Sequence, residues 1–270
     1  MRIEKLSKIQ KNLELITQKW WFFLLFFLLF FIPSYSSKRL DPRESSQLVI
    51  DILSNALIYS YPILMPVFKI VPILLIMGIV WLGNKFTRLF NVYVTFTAVL
   101  FTFFQTTAIT EKYGLAILLG NLAVYLVVAI FWIWETIVKE NDFTPEKRPL
   151  WKYWVVPLAF LAFWYPINLK TLKPDFNLLY ILTSESGMTY CMMTPVYLGI
   201  LTLYYPKINR ATLRVTSFAG LITGLLSVVQ FFILHSYTWW MGVLHLPLLF
   251  ISFYAFLLSL RKEELLKIKM

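Results

Sequence analysis

Apolar residues in this chain come in long runs separated by short polar stretches, the pattern of helices that cross a bilayer. Eight such runs can be read: residues 20–36, 63–83, 89–110, 114–138, 154–168, 177–204, 211–234 and 237–260. The fifth is the shortest, and the third and fourth are joined by a tight turn. Alternation at period two is absent, so the strands of an outer-membrane barrel are not expected. Two segments follow a helical period without being long enough to span. In residues 1–19, Leu6, Ile9, Leu13 and Ile16 recur every three or four positions among Lys5, Lys8 and Lys11, which predicts an amphipathic juxtamembrane helix on an anionic inner leaflet. In residues 47–61 one face is apolar and the other carries Asp51, Ser54 and Asn55, which predicts an interfacial or re-entrant segment.

Composition supports this picture. The 270 residues are 59% hydrophobic and 14% charged, too apolar for a soluble domain to bury. The fold class expected is therefore all-α: a polytopic integral membrane helical bundle of about eight transmembrane helices, residues 20–260, in one domain. Lys and Arg decide its orientation. With the N-terminus inside, the inner segments hold Arg2 to Lys19, Lys85, Arg88, Lys139, Lys147, Arg148, Lys152, Lys207, Arg210, Arg214 and the basic tail 261–270. The outer ones hold Lys38, Arg39, Arg43, Lys112, Lys170 and Lys173, a bias of about three to one. Both termini are expected in the cytoplasm, with the first run an uncleaved anchor rather than a signal peptide. The net charge of +11 is scattered between apolar runs, which excludes a compact nucleic-acid surface; its partners are the bilayer and its anionic inner-leaflet lipids.

Within this topology several polar groups fall at similar depth. Lys69, Asn121, Glu185 and His245 lie on runs two, four, six and eight, about six to eight residues from the outer ends, or roughly 9–12 Å. Gln105 and Gln230 fall near the same level. The layer predicts a polar pocket in the outer half of the bilayer, covered by the 47–61 segment with Asp51 and Asn55. A carboxylate at that depth is costly, so Glu185 either pairs with Lys69 or binds a cation or proton. Lys69 could instead snorkel to the outer headgroups, and the amides could be interhelical glue. On a continuous helix Glu185, Met188, Thr189 and Met192 would share one face beside Cys191, the only cysteine, and these sulfur atoms could ligate a soft metal ion such as Cu(I). Pro195 should kink that helix.

The stretches 103–109, Trp164-Tyr165-Pro166 and Gly187 to Pro195 resemble a family of uncharacterised multi-pass prokaryotic membrane proteins, over residues 47–260. In that family the last stretch is similar to Gly-x-Thr-Pro-Cys-Pro-Thr-Thr. Gly187, Thr189, Cys191 and Thr194 fit it, while Tyr190 and Met192 replace the two prolines. The resemblance implies a helical architecture in the cell (plasma or inner) membrane and no chemistry.

Two functions follow from the residues. One is transporter or channel-like binding of a small solute or cation, with Glu185, Lys69, Asn121, Gln105, His245 and Thr189 as ligand-binding groups. The other is a structural or assembly subunit, contacting other membrane proteins or a second copy of itself. An intramembrane enzyme is a third, distant reading, because no His-Glu-x-x-His, nucleophile elbow or paired Asp-rich motif is present.

Overall fold

An apolar run can satisfy its backbone only within itself, and each of the eight runs answers with helix. The computed structural model describes residues 2–38 and 41–261. Beyond Arg261 the basic tail lies outside the described residues. The chain opens with α1 (Arg2–Ile16), which meets α2 (Trp20–Leu29) at a bend of 78°. Gly120 takes the close approach of α2, since a Cβ there would lie 2.9 Å from the carbonyl oxygens of Leu29 and Phe30.

The chain then forms a small antiparallel sheet. Strand β1 (Tyr35–Ser36) pairs with β3 (Gly114–Ile117), which also pairs with β2 (Thr107–Thr110), in the order β1-β3-β2. Opposite residues include Ala108 and Ala116. Helix α3 (Ser45–Ser54) lies on this sheet and buries Leu48 and Ile52 against Ala108, Tyr113 and Ala116. Its apolar stripe thus covers protein. The expected tight turn between runs three and four is a β-hairpin, because residues 107–117 leave the helices before the turn, with Gly114 at φ 65° allowing it.

Helices α4 (Met65–Leu82), α5 (Thr87–Leu100, extended by a π-helical turn to Gln105) and α6 (Leu119–Val138) follow. Then come α7 (Val155–Trp164), a hairpin of β4 (Ile167–Asn168) and β5 (Lys173–Pro174), α8 (Tyr180–Thr183), α9 (Tyr190–Tyr204), α10 (Arg210–Val228) and α11 (Trp239–Leu260). Run six is therefore broken. A 3₁₀ turn, Glu185–Met188, separates α8 from α9, so the face expected to carry Glu185, Met188, Thr189 and Met192 on one helix does not exist. The most extensive packing joins α10 and α11, where Gly220 and Gly224, one turn apart, let α11 approach near Ser252 and Leu249.

Among the described residues five helical segments are long and apolar enough to cross a membrane: Pro62–Lys85, Thr87–Gln105, Leu119–Val138, Arg210–Leu234 and Ser236–Leu260. Counting the bent pair α1 and α2 as one span makes six. Leu150–Trp164 and Tyr190–Tyr204 are apolar but shorter. The molecule is all-α apart from these small hairpins.

Candidate functional site

The break in run six is built against the end of α7. Tyr165 adopts a left-handed conformation (φ 57°) and ends that helix, leaving its last carbonyls without helical partners. Three side chains answer them. Lys69 from α4, 0% exposed, donates to Phe163 O and, at 2.5 Å, to Ser186 Oγ; its ammonium lies 4.1 Å from the centre of the Phe163 ring. Ser186 Oγ donates to Phe163 O (2.5 Å) and Ser184 Oγ to Trp164 O (3.2 Å). A cation at a helix C-terminus is favourable, so the carbonyl end of α7 does for Lys69 what a carboxylate was expected to do. Lys69 neither snorkels nor pairs with Glu185. Gly187 fits where its turn crosses α4, since a Cβ would lie 2.6 Å from Phe68 O.

On the other side of the break, α9 begins without a side-chain cap from its own Thr189, whose Oγ1 donates to Ser186 O (3.1 Å). Gln105, at the end of the π-helical turn, supplies the acceptor: its Oε1 takes the Tyr190 N–H at 2.8 Å. Tyr190 stacks on Tyr125 with ring centres 4.0 Å apart, and Asn121 stands beside Tyr125 one turn earlier on α6. His245 serves its own helix, its Nδ1 donating to Met241 O at 2.7 Å with the Phe231 ring 4.9 Å away. Gln230 bonds to His235 Nδ1 (3.0 Å).

Glu185 is the exception. It is half-buried and, among the described residues, makes no hydrogen bond or ion pair. Its electrostatic neighbours are Tyr59 and Tyr165, both of which also lie near Cys191. Tyr59 belongs to the 3₁₀ turn Leu57–Ser60 that follows α3. That turn, rather than α3, reaches the site: Asp51 accepts from Gln47 (2.8 Å) and Asn55 donates to Asp51 O (2.9 Å), both on the exposed side of α3. The sulfur residues divide between two packing clusters. Met188 belongs to the main core, Met192 to a smaller cluster with Ala162, Tyr165 and Leu244, and Cys191 borders both.

A second polar centre, at the opposite end of the bundle, was not anticipated. Glu135 in the last turn of α6 is 0% exposed and, among the described residues, has no cation beside it. Its Oε1 accepts from Asn91 Nδ2 (2.9 Å) and the Asn141 backbone N–H (2.9 Å), and its Oε2 from Asn209 Nδ2 (2.8 Å). Asn209 in turn caps α10 through the Thr212 N–H at 3.1 Å. No protein family, characterised protein or solved structure matches this chain.

Helix α1 docks on this second centre. Gln10 Nε2 donates to Asn209 Oδ1 (3.2 Å) and Glu140 Oε2 (2.7 Å), while its Oε1 accepts from Trp134 Nε1 (2.6 Å). Arg214, 1% exposed, donates to Glu14 O (3.3 Å), Thr17 Oγ1 (2.7 Å) and Ser259 O (2.7 Å), tying α1 to the last turn of α11. The Glu140 carboxyl is pushed up to about 7, first by partial burial and then by the negative charges of Glu14 and Glu135. The signal that could have found this centre was the recurrence of Asn91, Asn141 and Asn209 at the same end of the predicted bundle as Glu135.

Proposed function

We propose that this chain is an integral membrane protein of the cell membrane, crossing it eight times with both termini in the cytoplasm, and that it binds a small cation or proton at Glu185. The crossings that fall short as single helices would be completed by irregular backbone, as in the broken run α8 and α9. Such backbone is tolerated at membrane depth where it is buried in protein or lines a cavity. The observation that carries the binding reading is the state of Glu185. Lys69, Gln105, His245 and Thr189 have intramolecular partners, whereas this half-buried carboxylate has tyrosines around it and, among the described residues, no counter-charge. A carboxylate in such surroundings requires a cation or a proton. Tyr59 and Tyr165 add ring faces able to attract a cationic solute.

Flux tests it. In proteoliposomes, wild-type protein should carry or bind the cation and Glu185→Gln should not; equal flux in both would remove the assignment.

The same partnering favours a second reading, a structural subunit of a membrane assembly, because side chains expected to wall a pocket are occupied in holding helices together. A protein that purifies alone as a monomer and retains no partner from native membranes would count against it.

A further inference from the structure

Beside the second polar centre, where Asn141 and Asn209 lead into Asp142 and Lys207, the loop between α6 and α7 and the connection between α9 and α10 form an open cavity of about 150 Å³. Its lining is rich in cations: Lys147, Arg148, Lys152 and Lys207. Of the two carboxylates present, Glu146 pairs with Lys207, and Asp142 Oδ1 accepts from the Thr144 N–H (2.8 Å), Thr144 Oγ1 (2.5 Å) and Asn84 Nδ2 (2.5 Å). Thr144 first, helped by Asn84 and Lys207, holds the Asp142 carboxyl below its usual range, so its charge is already used locally. Three cations remain outside any ion pair among the described residues. Arg148 stacks on the Tyr204 ring at 3.9 Å, which fixes its guanidinium plane, and Lys152 Nζ reaches only Tyr205 O at 3.4 Å. Lys152 is also repelled by Arg148 and Arg261, against a weaker attraction from Glu146. Gathering like charges around a cavity is unfavourable unless an anion enters it.

We propose that this cavity binds a phosphate-bearing anion, supplied by a phospholipid headgroup or a soluble phosphate. Arg and Lys together suit that group, the first by its planar donors and the second as a point charge. The rim points to lipid, because Leu150 is 88% and Trp151 59% exposed beside Lys152, an apolar and aromatic edge of the kind that sits at headgroup level. The inference does not depend on Glu185.

The test is thermal unfolding of the full chain in detergent with phosphatidylglycerol, phosphatidylcholine or inorganic phosphate added. Wild type should melt at higher temperature with phosphatidylglycerol, saturably, and not with phosphatidylcholine. An Arg148→Ala/Lys152→Ala variant should need roughly tenfold more of the lipid, while a Lys5→Ala/Lys8→Ala control on α1 keeps the wild-type response. Saturable stabilisation by inorganic phosphate alone, lost in the same variant, assigns the soluble source. Equal response to both lipids, an unchanged midpoint in the pocket variant, or an equal loss in the α1 control overturns the proposal. If the double variant does not fold, Lys152→Met alone is read by the same criteria.

Discussion

Lys69 and Glu185 stand in different surroundings and form no ion pair with each other. The ammonium is bound by a helix end and a serine, while the carboxylate has no hydrogen bond or ion pair among the described residues. Two consequences can be measured by unfolding in detergent. Ser186→Ala removes an acceptor from a buried charge and a donor from Phe163 O, and should cost about 2 kcal/mol; Lys69→Met removes the charge itself and should cost less, because Ser186 still satisfies Phe163 O. Glu135→Ala orphans the donors of Asn91, Asn141 and Asn209 and should cost about 3 kcal/mol. Glu185 was legible in the sequence because a carboxylate stands out in an apolar run. Glu135 was not, although it too lies in one, because its partners come from residues 91, 141 and 209 and only the folded chain brings them together.

At the scale of elements, helical periodicity located nearly every helix and failed where local geometry overrode it. Thr107 to Thr110 extends an apolar run, so it read as helix; its pairing with residues 114–117 and its cover by α3 are tertiary facts. The amphipathic face of α1 was visible, but not that Gln10, polar and in its middle, would be its anchor. That anchor makes docking of α1 sensitive to pH. Because the Glu140 carboxyl titrates near 7 when docked, above the ordinary carboxylate range, the docked state holds its proton more tightly. Docking is therefore firmest below the ordinary carboxylate range and is lost progressively as pH rises through 7. A nitroxide at Lys8→Cys, in a Cys191→Ser background, should be more immobile at pH 6 than at pH 8, and Glu140→Gln should flatten the difference. Equal mobility at both pH values would separate Glu140 from α1.

For the whole molecule, the proposal of eight crossings rests on three short segments, α2, α7 and α9, and on the Lys and Arg bias. Single cysteines replacing Lys112 or Lys170 should label from outside intact cells, and one replacing Lys139 only after permeabilisation; labelling of Lys139→Cys from outside would break the topology. The all-α class was readable from run length alone, whereas the bounds of the individual helices were not, since the chain can break a run where a side chain replaces a helical hydrogen bond, as Gln105 does for Tyr190. The reading that depends on all of this is an uncompensated Glu185 awaiting a cation. Its most direct test is the melting temperature of purified wild type and Glu185→Gln across a panel of metal and organic cations and across pH. The account predicts that at least one cation, or acidification, stabilises wild type and leaves the variant unmoved. Identical melting of the two proteins throughout the panel and the pH range would contradict it.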